Sequence, residues 1–234
     1  MGNMHRKIGI IGGLSPESTV SYYLHITRTY VERFGDYGYP EIVIYSVNLE
    51  NYHRWRRKNH WDLIVEDLAA AANTLQKAGA DFGLIATNTM HKVYHLVEDN
   101  TSLPLINLID VTAEKAKEMG LRNLGLLGTH YTMSDGFYHD RIAQSGLSLT
   151  VPQIEDQSII HRIIVEELVK GQIVEGSKNE YVRIMNTLIG NKVDGIILGC
   201  TEIPLLVNQA DSTVPLLDTA IIHAEAALDY ALSK

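Results

Sequence analysis

The sequence predicts an α/β protein with mostly parallel central sheets, built as two pseudo-symmetric lobes. Short apolar runs rich in Ile, Val, Leu and Gly alternate along the chain with longer stretches of helical period. This alternation is typical of buried parallel strands joined by helices. Three pairs of similar segments also occur in the same order in the two halves of the chain, which favours duplication of one α/β unit.

Eight strands and seven helices are expected from this alternation. The strand candidates are apolar runs bounded by turn residues, at residues 7–13, 41–48, 82–88, 103–109, 123–129, 147–152, 194–201 and 213–219. The helix candidates lie between them, at residues 16–34, 61–78, 113–119, 135–144, 157–170, 179–189 and 220–232.

The repeat pairs "KIGIIGG" with "NLGLLGT", "GADFGLIATNT" with "KVDGIILGCTE", and "LPLINLIDVTAEKA" with "VPLLDTAIIHAEAA". In the middle pair an aspartate precedes a polar strand end by six residues, Asp81 before Thr87 and Asp194 before Cys200. The alternative is that buried parallel strands resemble one another because all are rich in Ile, Leu, Val and Gly. Since the order also agrees, we expect an N-terminal lobe at residues 1–110 and a C-terminal lobe at residues 111–219. The last helix, about residues 220–234, is a candidate to pack on the first lobe.

Composition excludes several classes of protein. A chain of 234 residues with 45% hydrophobic and 21% charged residues is ordinary for a globular protein, and no apolar run approaches the roughly 18 residues of a membrane helix. The net charge of −8 gives no overall attraction to nucleic acid or to anionic lipid. The N-terminus lacks the apolar region of a signal peptide, and a single cysteine fits a reducing compartment. We therefore expect a cytoplasmic protein that binds neither nucleic acid nor membrane.

Small polar residues follow four of the predicted strands, and ligands of parallel α/β sheets bind outside the carboxyl ends of strands. These residues are Gly12, Gly13, Ser15 and Glu17; Thr87, Asn88 and Thr89; Thr129, His130 and Thr132; and Cys200, Thr201 and Glu202. Hydroxyl, amide and backbone N–H groups of this kind suit a small ligand with carboxylates. Any one of them is equally suited to a turn or a helix N-cap, so the prediction of a site depends on the whole set.

Other kinds of site lack their motifs. The glycines of "GIIGGLSPES" do not form G-x-G-x-x-G, and Pro16 after Ser15 indicates an ordinary helix start. No P-loop, no zinc motif and no G-x-S-x-G elbow occurs in the sequence. We therefore expect neither a nicotinamide cofactor nor a metal ion.

Cys200 is the remaining candidate for reactive chemistry. A thiol at a strand end, with a helix starting near Pro204, would have its pKa lowered by the helix dipole and by facing N–H groups. It could then act as a base or nucleophile. The alternative is an inert buried cysteine that only fills space.

Three segments carry a resemblance to a known family. "IGIIGGLSPEST", "ATNTMHKV" and "GCTEIPLL" resemble, in the same order and across the chain, the cofactor-independent aspartate/glutamate racemase superfamily. The resemblance implies two pseudo-symmetric lobes with the active site in the cleft between them, no cofactor, a small dicarboxylic amino-acid substrate and a homodimer. In this family one cysteine removes the α-proton while another protonates the opposite face.

The resemblance also assigns roles to residues. Cys200 matches the second catalytic cysteine, and Thr87 stands where the family has the first. Positions that hold substrate are matched by Ser15, Asn88, Thr89, Thr129, Thr132 and Thr201. Two basic residues that bind the side-chain carboxylate are matched by Arg56, with Arg54 and Arg57 as rivals, and by Lys170.

Thr87 departs from the two-cysteine pattern. A threonine hydroxyl is a far weaker acid than a thiol, whose pKa is about 8.5, so it cannot be the resting base. The sequence resembles a branch with this asymmetry that prefers L-aspartate and L-glutamate. The prediction is therefore an aspartate and/or glutamate racemase with Cys200 as acid/base. A one-thiol decarboxylase or cis/trans isomerase of a dicarboxylate, and a non-catalytic dicarboxylate-binding protein, remain open as alternatives.

Overall fold

Residues 5–233 are described by a computed structural model, in which the chain divides into two compact units. The first unit contains the described residues through Leu108 together with those from Ala220 onward, and the second unit is Ile109–Thr219. Residues 1–4 and 234, which the predicted lobes include, lie outside this description.

Each unit contains a four-stranded parallel sheet. The first sheet has the order β2-β1-β3-β4, with β1 at Ile8–Gly12, β2 at Ile42–Ser46, β3 at Phe82–Ile85 and β4 at Leu105–Ile106. The second sheet has the order β6-β5-β7-β8, with β5 at Asn123–Gly128, β6 at Ser148–Thr150, β7 at Gly195–Gly199 and β8 at Leu216–Asp218. The predicted α/β class with two similar lobes is confirmed, and all eight predicted strands are present.

Ten α-helices accompany the sheets within residues 5–233. Those of the first unit are α1 (Pro16–Phe34), α2 (Leu49–Arg57), α3 (Trp61–Lys77), α4 (Tyr94–Asp99) and α10 (Thr219–Leu232); those of the second are α5 (Leu108–Glu118), α6 (His130–Ser134), α7 (Phe137–Gln144), α8 (Ile154–Glu166) and α9 (Glu175–Gly190). Short 3₁₀ helices occur at Thr89–Val93, Leu168–Lys170, Ile203–Leu205 and Gln209–Asp211. Across residues 5–233, no helix is long and apolar enough to cross a membrane.

The sequence analysis did not predict α2, α4 or α6. These helices have nine, six and five residues, which is shorter than the window in which helical periodicity can be recognised. In α2 the buried residue is Tyr52, and the Asn48 side chain caps the helix by accepting a hydrogen bond from the Glu50 N–H at 3.1 Å. One buried side chain and a cap therefore define a helix that leaves little periodic signal.

The first sheet is covered on both faces. On one face, Tyr22 and Ile26 of α1 and Ala224 and Leu228 of α10 pack with Ile10 of β1. On the other face, α2, α3 and α4 contribute a second core whose members include Tyr52, Ile64, Leu68 and Tyr94. The C-terminal helix is thus part of the first unit, and parallel strands buried on both faces account for the continuous apolar runs in the sequence.

The repeat is visible in the hydrogen bonds that start equivalent strands. Asp81 accepts a hydrogen bond from the Lys7 N–H at 2.7 Å, and its own N–H donates to the Lys7 carbonyl at 2.9 Å. Asp194 accepts from the Asn123 N–H at 2.9 Å, and its N–H donates to the Asn123 carbonyl at 2.8 Å. The two aspartates that precede Thr87 and Cys200 therefore have the same structural role, which supports duplication.

Candidate active site

The order of strands defines where a ligand would bind in each unit. In the first sheet the chain passes from β1 to β2 and then crosses to the other side of β1 to form β3; the second sheet repeats this path with β5, β6 and β7. Such a switch in direction leaves a crevice at the carboxyl ends of the two neighbouring strands. The crevices therefore lie beyond β1 and β3 in the first unit and beyond β5 and β7 in the second.

The predicted site residues divide between the two units. We call those of the first unit the first-unit cluster, which consists of Ser15, Arg56, Thr87, Asn88 and Thr89. We call those of the second unit the second-unit cluster, which consists of Thr129, Thr132, Lys170, Cys200 and Thr201. Ile11 pairs with Ile85 and Gly128 pairs with Gly199 at the ends of central strands. Cys200 follows β7 directly, and Thr87 follows β3 after Ala86.

The loop after β1 is shaped by glycine and by the start of α1. Gly13 has φ +76°, and a Cβ there would lie 2.6 Å from the Val47 carbonyl oxygen and 2.7 Å from the Val47 nitrogen. The Gly13 N–H donates to Thr19 Oγ1 at 2.8 Å. Ser15 caps α1 by accepting a hydrogen bond from the Ser18 N–H at 3.2 Å, which is the structural role that serine commonly has before a helix. The β1–α1 loop therefore requires glycine at position 13.

The Thr87 turn, which we define as Thr87–Thr89, follows β3 and leads into the 3₁₀ helix Thr89–Val93, so that Thr89 belongs to both. The Thr87 N–H donates to the Ile85 carbonyl at 2.8 Å. Asn88 and Thr89 are buried, with exposed fractions of 3% and 7%. The carbonyl of Thr87 accepts a hydrogen bond from Nδ1 of His91 at 2.8 Å. The turn is therefore fixed by contacts to the sheet and to a buried histidine.

Arg56 differs from its two rivals. Arg56 is half-buried on α2 and its Nη2 donates to Nδ1 of His53 at 2.7 Å. Burial and the nearby Arg56 charge lower the pKa of His53, which keeps its imidazole neutral and able to accept this bond. Arg54 and Arg57 are exposed and bond instead to Asn51 and Glu50 of the same helix. Arg56 is therefore the least exposed of the three arginines, and its guanidinium is bonded to a neutral histidine.

Thr129 and Thr132 of the second-unit cluster hydrogen-bond to each other, with 3.1 Å between their Oγ1 atoms. Thr132 is 1% exposed, and its side chain lies so close to β5 and β7 that a Cβ on Gly128 or Gly199 would approach it within 3.0–3.1 Å. Lys170 ends the 3₁₀ helix Leu168–Lys170 and is exposed.

Cys200 follows β7 and lies against a buried carboxylate. Its Sγ donates a hydrogen bond to Oε2 of Glu202 at 2.9 Å, and Thr201 Oγ1 donates to the same oxygen at 2.9 Å. Glu202 is 7% exposed. Burial, followed by the charge and hydrogen bond of Glu202, raises the pKa of the Cys200 thiol well above its ordinary value. The resting sulfur is therefore a protonated thiol.

The expected lowering of the Cys200 pKa by a helix was wrong. The chain after Cys200 forms the three-residue 3₁₀ helix Ile203–Leu205 instead of an α-helix starting near Pro204. So short a turn has little macrodipole, while desolvation and a neighbouring carboxylate both disfavour a thiolate. Sequence position alone did not show that the Glu202 side chain would turn back to the thiol.

His91 and Thr19 were not predicted as contributors, and Glu202 was named only as a polar residue at a strand end, without a role at the thiol. Glu202 is the carboxylate at the thiol, His91 holds the Thr87 carbonyl, and Thr19 has the same relation to Gly12 that Thr132 has to Gly128. Glu202 and His91 both lie inside the quoted motifs, where their place in the motif was the available signal. In the part of the chain that the structure describes, no group of three or more His, Cys, Asp or Glu residues could hold a metal ion.

Known proteins share this architecture. A family model described as Asp/Glu/hydantoin racemase matches residues 11–227. A structure from Yersinia pestis, described as that of a proposed Asp/Glu racemase, is 42% identical with a TM-score of 0.93 and covers 97% of this chain and 100% of that chain. An aspartate racemase homologue from Pyrococcus horikoshii is 37% identical, with a TM-score of 0.87 and the same coverage of 97% and 100%. The broad-specificity amino-acid racemase RacX of Bacillus subtilis is 23% identical over 97% of this chain and 98% of its own length.

The fold and these relatives define an isomerase of the racemase type. The chain belongs to the Asp/Glu/hydantoin racemase family, whose model spans nearly its whole length. The resemblance found in the three sequence motifs is thereby confirmed at the level of the family.

Proposed function

We propose that this protein is a PLP-independent racemase of aspartate and/or glutamate in which the first-unit cluster and the second-unit cluster act on one substrate molecule. The observation that carries the proposal is the hydrogen bond from Cys200 Sγ to Glu202 Oε2. It gives the thiol a proton acceptor at the switch point of the second sheet. Thr87 has the matching position in the first sheet, beyond β3.

The proposed reaction removes a proton from one face of the α-carbon and adds a proton to the opposite face. When substrate binds, the thiol proton moves to Oε2 of Glu202, and the resulting thiolate removes the α-proton of the L-isomer. The Thr87 hydroxyl then relays a proton from solvent to the opposite face of the carbanion, which gives the D-isomer. Glu202 returns its proton to solvent, so the substrate has exchanged one hydrogen and its configuration at the α-carbon is inverted.

The carbanion needs stabilisation because no cofactor takes up its electrons in this mechanism. Fixed donors aimed at a carboxylate that becomes enediolate-like can supply it. The Thr87 turn and the Thr129–Thr132 pair provide hydroxyl, amide and N–H groups at strand ends. Arg56, held by His53 at 2.7 Å, and Lys170 supply cations for the substrate's side-chain carboxylate.

The substrate class follows from these charges and from the relatives. Two cations suit an amino acid with a second carboxylate, and two of the similar structures are described as a proposed Asp/Glu racemase and an aspartate racemase homologue. Because enantiomers have equal free energy, kcat/KM is the same in the two directions. The chemical asymmetry between Cys200 and Thr87 therefore appears only in the separate kcat and KM values.

Incubation of the wild-type protein with L-aspartate and with L-glutamate in D₂O tests the proposal. Chiral chromatography and ¹H NMR should show the D-isomer and deuterium at the α-carbon, and Cys200→Ala should reduce both by at least about 100-fold, since one acid/base group contributes about 10²–10⁴. Exchange that persists in Cys200→Ala at the wild-type rate would contradict the role of the thiol.

The same experiment separates the alternatives when maleate and substituted malonates are included. A one-thiol isomerase or decarboxylase would convert one of these compounds and leave both amino acids unchanged. A binding protein would bind aspartate, as calorimetry would show, without exchange of the α-proton at high protein concentration. Either result would contradict a racemase.

A further inference from the structure

His91 has two hydrogen bonds that join the Thr87 turn to the point where the chain leaves the first unit. Its Nδ1 lies 2.8 Å from the Thr87 carbonyl oxygen, and its Nε2 lies 3.1 Å from the Leu108 nitrogen. Leu108 is the last residue of the first unit before the chain enters the second. Two segments that are distant in sequence are therefore fixed by one side chain.

These contacts determine the protonation of the ring. A carbonyl oxygen can only accept a hydrogen bond, so Nδ1 carries a proton; the Leu108 N–H can only donate, so Nε2 presents a lone pair. His91 is thus a neutral imidazole with its proton on Nδ1. A second buried histidine, His223, has the opposite arrangement, because its Nε2 lies 3.0 Å from the Ile106 carbonyl and its Nδ1 lies 2.9 Å from the Tyr22 hydroxyl.

The packing around His91 allows little other movement. The residue is 5% exposed, its ring stacks on Tyr94 at a centroid distance of 5.4 Å with an interplanar angle of 10°, and the His223 ring stands at 6.0 Å. A buried ring with two directed bonds and an aromatic neighbour is restricted in its torsions. The two backbone groups that bond to the ring are held in place as well, and one of them is the Thr87 carbonyl.

We propose that His91 is a positioning residue, which sets the Thr87 hydroxyl for proton delivery by holding the Thr87 carbonyl from Nδ1. This inference rests on the proposed racemase function, in which Thr87 serves one face of the substrate and Cys200 the other. Loss of the bond displaces Thr87 and leaves Cys200, Thr201 and Glu202 unchanged. The loss of activity is therefore confined to proton delivery on the Thr87 face.

A substrate that reacts at the Cys200 face alone separates removal of the α-proton from protonation of the opposite face. Removal of the α-proton of 3-chloro-L-aspartate by the Cys200 thiolate expels chloride from Cβ, and the resulting enamine hydrolyses to oxaloacetate and ammonia. This elimination needs no proton from the Thr87 face. Racemisation of L-aspartate needs both faces, so the ratio of racemisation to chloride release reports on Thr87.

Two substitutions distinguish the two bonds of His91. In His91→Asn the amide nitrogen replaces Nδ1 and retains the bond to Thr87, whereas in His91→Gln the longer side chain replaces Nε2 and retains only the bond to Leu108. We expect the ratio of racemisation to chloride release to fall about 10-fold or more in His91→Gln and to stay within about 2-fold of the wild type in His91→Asn. Equal ratios in both variants and the wild type would overturn the proposal.

Matched controls separate positioning from general loss of stability. His223→Gln disturbs a buried histidine that has no bond to the Thr87 turn, and His95→Gln changes an exposed histidine of α4. Both should leave the ratio unchanged. A fall in the ratio in His223→Gln equal to that in His91→Gln would show that the effect is structural and would overturn the proposal.

A spectroscopic measurement tests the geometry without any substrate. In ¹⁵N-histidine-labelled wild-type protein at neutral pH, His91 should show a protonated Nδ1 and an unprotonated Nε2, and His223 the reverse. A His91 that is protonated on Nε2 alone or on both nitrogens would contradict the pair of hydrogen bonds to Thr87 and Leu108. Wild-type protein that shows this tautomer but neither racemises nor eliminates would instead contradict the proposed function alone.

Discussion

At the scale of single residues, the Cys200–Glu202 pair determines the chemistry of the second-unit cluster. A thiol in a low-dielectric setting, 2.9 Å from a carboxylate oxygen, is a weak acid at rest. The same carboxylate can take the thiol proton when a substrate is bound, because a donor and an acceptor are already aligned. The pair therefore combines a stable resting thiol with a route to a thiolate.

Glu202→Gln tests this role of the carboxylate. The amide oxygen can still accept the thiol hydrogen bond, but it cannot take the proton, so kcat for L-aspartate should fall about 100-fold. Removal of the negative charge also removes one cause of the raised Cys200 pKa. The rising limb of the pH–rate profile, along which the rate increases as the thiolate forms, should therefore move to lower pH.

The exposed residue Glu155 of α8 offers a control for that experiment. Glu155→Gln removes the same charge from an exposed position, and it should change neither kcat nor the profile. An unchanged rate in Glu202→Gln, or a limb that moves to higher pH, would show that Glu202 does not exchange a proton with Cys200.

Residue types at strand ends were predictable, and side-chain directions were not. The sequence singled out Thr87 and Cys200 because each follows a buried run and stands six residues after an aspartate. It could not show that Glu202 turns back to the thiol or that His91 reaches the Thr87 carbonyl. Both contacts depend on loop geometry that arises only when the sheets and helices are packed.

At the scale of elements, the strands were predictable because burial on both faces leaves continuous apolar runs. The short helix α2 was not, although it carries Arg56, because nine residues give little periodic signal. The loop after β1 was predictable in part. Its glycines were visible in the sequence, but the reason for them, a left-handed Gly13 against the Val47 backbone, is a tertiary contact.

Gly13→Ala should therefore destabilise the first unit. A left-handed backbone costs an alanine about 1–2 kcal/mol, and its Cβ would in addition clash with the Val47 backbone at 2.6–2.7 Å. Urea denaturation of Gly13→Ala and Gly35→Ala measures the cost of the left-handed backbone and the cost of the clash. Gly35 has φ +75° with no atom within 4 Å of the added Cβ, so Gly35→Ala should show the backbone cost alone.

The unfolding free energies of the two variants show whether the Cβ at position 13 clashes with the Val47 backbone. Gly13→Ala should lose more unfolding free energy than Gly35→Ala, and the difference is the cost of the clash. Equal losses would mean that the β1–α1 loop moves to accept a side chain. In that case the loop could not fix the position of Ser15 as the structure indicates.

At the scale of the whole molecule, the helix that follows the last strand of each sheet belongs to the other unit. Strand β4 is followed by α5, which belongs to the second unit, and β8 is followed by α10, which belongs to the first. The unit boundaries fall after Leu108 and after Thr219, two residues that are equivalent in the repeat. The ordered repeat predicted the duplication, and the last helix was expected as a candidate to pack on the first lobe; the exchange of α5 and α10 between the units was not predicted.

This duplication underlies the central proposal, that Thr87 and Cys200 are equivalent positions serving opposite faces of one α-carbon. They follow equivalent strands, β3 and β7, and stand six residues after equivalent aspartates. If the equivalence extends to the substrate, a thiol placed at position 87 gains access to the α-proton of the D-isomer. The asymmetry of the natural protein would then reside in one residue.

Chloride release from the L- and D-isomers of 3-chloroaspartate by the wild type and Thr87→Cys is the most direct test, because elimination needs a base on one face only. The wild type should react faster with the L-isomer, and Thr87→Cys should gain at least about 10-fold with the D-isomer while its rate with the L-isomer changes little. No gain with the D-isomer in folded Thr87→Cys, or an equal gain with both isomers, would contradict the assignment of Thr87 and Cys200 to opposite faces.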